Sequence, residues 1–547
     1  MLKKFILATI LVSLQLLLFA QIPRGGSPML KKAYRAASPV FSLSPDYIRN
    51  SILRLAGDDE MLTGKKPMSI AVDQQVEMNP ENSGTWITLS NNFRVWRLEV
   101  YSKEAEALAV FFNQYRLTGG SMLFLYDPDF NRILGGFNHL NNKKSGILQT
   151  AFIPGERIIL ELQVPPGEDY GDLSIAGFSH AFVDIFGKKS PDDRYFGTAG
   201  SCEVDINCKE GLAWQTIKRS VCRIIFKRDA FSSEICTGTL INNTAEDQKA
   251  FLYTANHCIS NDFEAETAVL YFGYESAGCN GEDGINTMTL SSTEILATSD
   301  SLDFSLLLLS ENPPDAYQPY FSGWSRIPMP PLASVTIHHP KGDVKKISRD
   351  ADPAVTDYQE NSPPSWLFYG SVPDAFWRIV EWETGATEAG SSGAPLYNQV
   401  KMIVGNLTGG DANCMNPVND YFSKFHMNWD YYPEPERQLK YWLDSLNTGV
   451  EYINGYDPYD IPDGLDIELF QIFQNPGTGI FTIYTDTFDL EQVRIRIFNV
   501  SGSIIANYNA LSLPLVQLEL SHLPNGIYFI EISLQGFSER KKIILLK

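Results

Sequence analysis

All seven cysteines of this 547-residue chain fall between Cys202 and Cys414. What that distribution means depends on the compartment, and the amino terminus speaks to it. Lys3 and Lys4 precede an apolar run from Phe5 to Phe19, with Ala20 placed for cleavage. Residues 1–20 therefore read as a signal peptide, since the run is shorter than the roughly 20 residues a membrane span needs. In an exported chain, cysteines confined to one stretch read as the disulfides of one domain, and an odd count leaves one thiol over. No CxxC pair or Cys/His cluster at metal-ligand spacing occurs, so neither a metal nor a cofactor is expected.

The rest of the chain is punctuated like β-structure. Its 40 Gly and 31 Pro separate many short apolar or alternating runs, which favours strands and turns over long helices. Residues 21–190 form an N-terminal β-rich unit, with runs such as "TWITLSNNFRVWRLEVYS", "SMLFLYDPDF" and "RIILELQV" from Gly84 onward; the part before about residue 80 is mixed. Residues 191–199 read as a linker and processing region, with Lys188, Lys189 and Arg194 in or beside it. The cysteine-bearing domain spans 200–455, with strand signals "SVCRIIF", "AFLYTA", "AVLYFGY", "DFSLLLL", "SVTIHH" and "KMIVGNL". Near its end, "ERQLKYWLDSLN" places Leu439, Trp442, Leu443 and Leu446 at helical spacing. A linker at 456–465 precedes a second all-β unit at 466–547. The net charge of -21 argues against nucleic acid, which calls for a basic face.

Three segments of the cysteine-bearing domain could supply the parts of a nucleophilic site. A serine hydroxyl needs a neighbouring base, the base needs an acid that fixes its tautomer, and the oxyanion needs fixed N–H donors. "LYTANHC" puts His257 just after an apolar run, "SLDFSLLLL" puts Asp303 at the head of another, and "TEAGSSGAP" puts Ser392 in a Gly-rich turn. The order His, Asp, Ser is one that such triads take. The adjacent His338 and His339 read as structural, because neighbouring strand residues point to opposite faces.

The same domain resembles the lysyl endopeptidase family of bacterial trypsin-fold serine proteases. The resemblance rests on "GSCEVDINC", "CTGTLINNT", "TANHC", "DFSLLLL", "IHHPKGDVKKIS", "TEAGSSGAPLY", "GGDANC" and "WLDSLNTGVEYING". It implies an all-β chain: a chymotrypsin-like double β-barrel flanked by an N-terminal β-rich pro-region and a C-terminal β-sandwich. It also implies a serine endopeptidase acting after Lys on protein or peptide substrates, as a monomer. His257 is then the general base, Asp303 its orienting acid and Ser392 the nucleophile, with the N–H groups of Gly390 and Ser392 as oxyanion hole. Ser391 is a bystander, and its place before the nucleophile excludes the Asp that usually switches such zymogens on, so a removable pro-region becomes the source of control. The implied disulfides are Cys202–Cys414, Cys208–Cys279 and Cys236–Cys258, leaving Cys222 as a buried thiol.

For the substrate-binding pocket, the resemblance selects Asp420 as the acid at its base and Trp382 as a tryptophan beside the active site. Ala386 occupies the usual trypsin-like acid position, and Glu388 is near but out of register. Thr408 stands where the family pattern has a His, and its hydroxyl is expected to bond Asp303. The C-terminal unit, through "NPGTGIFTIYT", "VRIRIFNVSGSII", "LPNGIYFIEIS" and "KKIILLK", resembles the type IX secretion sorting domain of Bacteroidetes, which implies the type IX secretion machinery as a partner and a secreted or cell-surface location. The competing class is a non-enzymatic surface adhesin or an inactive protease homologue.

Overall fold

The structure is a computed structural model that describes residues 25–30, 40–59, 67–186, 199–281, 284, 287–356, 372–459, 471–473, 476–484, 494–509, 515–534 and 537–547. The signal-peptide reading, the basic pair Lys188–Lys189 and nearly all of the 191–199 linker lie outside them. Among the described residues no helix is long and apolar enough to cross a membrane.

The architecture is all-β. The apolar runs of the cysteine-bearing domain become strands Val221–Lys227, Ser232–Leu240, Phe251–Thr254, Val269–Phe272, Met288–Ser291, Thr293–Ser299 and Phe304–Leu309, which curl into a nearly closed first barrel. A second curled sheet contains Ser334–His338, Lys346–Asp350, Phe376–Glu381, Pro395–Asn398, Ile403–Gly410 and Val418–Lys424. Six of these thirteen strands are buried along their whole length, which is why they read as continuous rather than alternating apolar runs. The helix expected over 436–447 is shorter. Only Lys440–Leu443 is α-helical after a 3-10 turn at Pro435–Arg437; Leu439 and Leu443 are buried, but Leu446 is 60% exposed, so the apolar face ends a turn early.

The mixed stretch before residue 80 contains a helix, Pro45–Asp59, and a long strand, Met68–Met78. That strand pairs with Gly171–Ala181 on one side and with Ser232–Leu240 of the first barrel on the other, so one sheet runs across the linker. The junction is apolar and charged at once. Ile225, Ile235, Val269, Tyr271, Tyr274 and Val344 share a core with the N-terminal unit, and Lys227 pairs with Asp73 at 2.7 Å with both side chains buried. Arg223, also fully buried, donates to the carbonyls of Ile185 (2.7 Å) and Gly342 (2.6 Å) and lies over the Tyr274 ring.

The C-terminal unit is a sandwich of a three-stranded sheet, Gln471–Phe473, Ile480–Tyr484 and Leu515–Glu519, and a four-stranded one, Ile504–Asn509, Arg494–Asn499, Gly526–Leu534 and Phe537–Leu545. Its core includes Ile495, Ile497, Ile530 and Ile543 and continues onto Val400 and Met402 of the second barrel.

Candidate active site

The two barrels meet around His257, Asp303 and Ser392. His257 follows the Phe251–Thr254 strand, and the next residue, Cys258, is bonded to Cys236 (S–S 2.03 Å) on the neighbouring strand. Closing that loop is worth about 3 kcal/mol in the chain-entropy account. Asp303 holds the histidine twice over. Its Oδ1 accepts the His257 backbone N–H at 3.0 Å, and its Oδ2 lies 2.9 Å from Nδ1. A carboxylate oxygen accepts only, so Nδ1 carries the hydrogen and Nε2 is the basic nitrogen. Asp303 itself is buried and adopts φ +52°, a left-handed conformation that Asp tolerates better than most residues. Its backbone carbonyl accepts from Asn406 Nδ2 at 2.9 Å.

From the other side, Arg228 donates to the His257 carbonyl at 2.7 Å, while Glu234 and Glu264 hold its guanidinium. Neither Arg228 nor Asn406 was singled out from sequence. Nothing local marks an Arg or Asn whose partner is a backbone carbonyl in another segment.

Ser392 lies in a tight turn that glycine makes passable. Gly390 and Gly393 take φ of +91° and +80°, and a Cβ at 390 would meet His339 O at 3.0 Å and Gly342 N at 3.1 Å. The turn is sewn to the second barrel by Gly393 N–H to Leu407 O and Leu407 N–H to Ala394 O, both 2.8 Å. The Ser392 hydroxyl is buried and makes no hydrogen bond among the described residues. Ser391 is differently placed. Its hydroxyl lies 2.7 Å from His338 Nδ1 and accepts the Glu388 N–H at 3.2 Å. His339 turns the opposite way, to the Asp343 carbonyl, and burial holds its imidazole well below the ordinary histidine range.

Asp420 is fully buried on the Val418–Lys424 strand. Its Oδ2 accepts from Trp382 Nε1 at 2.7 Å and from Thr387 Oγ1 at 2.6 Å, so a residue five before Ser392 touches it directly. Gly410 pairs with it across the sheet, and a Cβ there would collide with Asp420 Oδ1. Trp382 is thus a buried support of Asp420. Glu388 is engaged elsewhere, with its Oε2 on the Gly200 N–H (2.8 Å) and its Oε1 paired with Lys341 (2.9 Å).

One expectation fails. The Thr408 hydroxyl does not bond Asp303; it is buried with no hydrogen-bond partner among the described residues. A register shift between Leu407 and Gly409 marks a bulge at Thr408, which re-aims its side chain, and Asn406 reaches Asp303 instead.

The remaining cysteines fall into two pairs and a singleton. Cys202 and Cys414 are 2.09 Å apart at sulfur, Cys208 and Cys279 1.88 Å. Cys222 is unpaired and wholly buried on the Val221–Lys227 strand, where burial pushes its thiol up to about 12. The group thus stays a neutral thiol, and the thiolate is the reactive form. Folded protein at pH 8 is therefore expected to take up no iodoacetamide at Cys222, and protein unfolded without reductant to take up one equivalent there. Rapid labelling of Cys222 in the folded state would contradict this.

Comparison with known proteins adds the lineage. Residues 196–423 match the family model described as lysyl endopeptidase, C-terminal domain, and residues 471–546 match that of the secretion system C-terminal sorting domain. A lysyl endopeptidase of Pseudomonas aeruginosa is 32% identical over 293 residues, which is 50% of this chain and 60% of the relative. The chain thus spans less than two thirds of that relative's length. Among solved structures, a thermostable serine protease from an extremophilic microorganism is 12% identical, with a TM-score of 0.28 over 38% of this chain and 92% of that one. A Mycobacterium tuberculosis protease in its active form is 16% identical, with a TM-score of 0.28 over 43% of this chain and 89% of that one. Likeness that distant bears on neither substrate nor residue roles. Residues 196–423 are thus similar to the C-terminal domain of lysyl endopeptidases, and residues 471–546 to a secretion-system sorting domain.

Proposed function

We propose that this chain is an exported serine endopeptidase that hydrolyses peptide bonds after Lys through an acyl-enzyme. The observation that carries the reading is the double grip of Asp303 on His257, which presents Nε2 as a base within a domain similar to that of lysyl endopeptidases. Ser392 Oγ attacks the scissile carbonyl while His257 takes its proton, and Asp303 steadies the imidazolium that results. The N–H groups of Gly390 and Ser392 receive the oxyanion. The proton then passes to the leaving amine, and water activated by the same histidine releases the acyl group.

Preference for Lys is assigned to Asp420. Its carboxylate, buried and held by Trp382 Nε1 and Thr387 Oγ1, would pair with the ammonium of a Lys side chain reaching the pocket base. That the Pseudomonas aeruginosa relative is called a lysyl endopeptidase supports this choice. The sorting domain at 471–546 supports export by the type IX machinery to the surface or the medium. Protein or peptide substrates follow from the proposed activity, and the protein is taken to work as a monomer. The N-terminal unit and the 191–199 region are read as a pro-region and its processing site.

A fluorophosphonate probe tests the nucleophile. One phosphonyl adduct is expected, on the peptide containing Ser392, with activity lost in step with labelling. An adduct on another residue, or full activity in fully labelled protein, would overturn the assignment.

A further inference from the structure

We propose that Thr237 is a positioning residue for the oxyanion hole, through a side-chain hydroxyl that locks the peptide joining its two donors. The proposal rests on Ser392 as nucleophile. Thr237 is fully buried on the Ser232–Leu240 strand of the first barrel, beside Cys236. Its Oγ1 donates to the Gly390 carbonyl at 3.0 Å and accepts the His339 N–H at 3.2 Å. Its backbone N–H donates to the Ser392 carbonyl at 2.8 Å, and its carbonyl accepts from Thr254 Oγ1 at 2.8 Å. One residue therefore holds the nucleophile turn at two points and ties it to the strand that leads to His257.

Because a trans peptide is planar, fixing its C=O fixes the direction of its N–H. The Gly390 N–H belongs to the 389–390 peptide, whose carbonyl accepts the Lys341 N–H at 2.5 Å. The Ser392 N–H belongs to the 391–392 peptide, whose carbonyl accepts the Ala394 N–H at 3.0 Å. Between these two lies the 390–391 peptide, flanked by a glycine at φ +91° that has little intrinsic resistance to rotation. Thr237 Oγ1 on its carbonyl and Glu388 O on its N–H (3.0 Å) are what hold it. Without the hydroxyl, the spacing of the two oxyanion donors loses one of its two restraints, while pocket and triad keep theirs. A loss of this kind falls on the transition state and spares the ground state.

The test compares Thr237→Val, which keeps the branched shape, with Thr237→Ser, which keeps the hydroxyl, in the full-length protein. For a Lys-amide substrate, Thr237→Val is expected to lower kcat about 10- to 100-fold with KM changed less than about threefold. Affinity for a Lys aldehyde, which forms the tetrahedral adduct, should fall by the same factor. Thr237→Ser should stay within about threefold of the parent protein in both. If Thr237→Val does not fold, Thr237→Ala replaces it in the same comparison. A hydroxyl-free variant with parental kcat, a Ser variant as slow as the Val variant, or a loss confined to KM would overturn the proposal. Fluorophosphonate mapping of the same proteins separates the two readings. With the adduct on Ser392 and parental kcat in Thr237→Val, only the positioning role falls; with the adduct elsewhere, both fall.

Discussion

Ser392→Ala is expected to abolish peptide hydrolysis, with kcat reduced by about four to six orders of magnitude and the melting temperature nearly unchanged. The hydroxyl makes no hydrogen bond among the described residues, so removing it breaks nothing structural. His257→Ala should fall to a similar rate, because members of a triad act as a unit. Ser391→Ala is the informative contrast. Its hydroxyl joins His338 and the Glu388 N–H in a fully buried network, so its loss should cost about 1–3 kcal/mol of stability and leave most of the activity. Rates on a Lys amide and thermal melts of the three variants check this. An active Ser392→Ala beside an inactive, folded Ser391→Ala would move the nucleophile by one residue.

Asp420→Asn is expected to remove the preference for Lys. Deleting one partner of a desolvated charge pair typically costs 2–5 kcal/mol, so kcat/KM on a Lys peptide should fall by roughly 10²- to 10³-fold. A Leu peptide, with no charge to match, should change less than about threefold. The substitution keeps an oxygen that can still accept from Trp382 Nε1 and Thr387 Oγ1, which protects the fold of the pocket wall. Arg substrates should start lower than Lys, since a planar fork needs other partners than a compact ammonium. If all three peptides respond alike, the specificity acid lies elsewhere. Glu388 is then next in line, although Lys341 and the Gly200 N–H already engage its carboxylate.

How much of this was legible depended on whether the signal was local. "DFSLLLL" and "AFLYTA" announce buried strands because the same residues that fill the barrel also carry high strand propensity, and they deliver Asp303 and His257 at their ends. The Gly-rich turn around Ser392 announces itself because φ values near +90° require glycine. The strand "MSIAVDQQVEM" was not legible. Its inner half is buried between strands about 100 and more than 150 residues away, Gly171–Ala181 and Ser232–Leu240. Thr237 was invisible for the same reason, as its value lies in carbonyls of another segment. Thr408 shows the opposite failure: an expectation carried over from related folds was undone by one bulge, which no local pattern encodes.

Cutting of peptide bonds after Lys by the His257–Asp303–Ser392 site is open to direct observation. The most direct measurement is a cleavage map. The purified exported protein and its Ser392→Ala variant are incubated with the same denatured protein mixture, and the new termini are read by mass spectrometry. New carboxyl termini are expected at Lys in great excess over all other residues with the parent protein, and none above background with Ser392→Ala. Folded parent protein that makes no cuts, cuts that ignore Lys, or an equal map from the Ser392→Ala variant would contradict this reading.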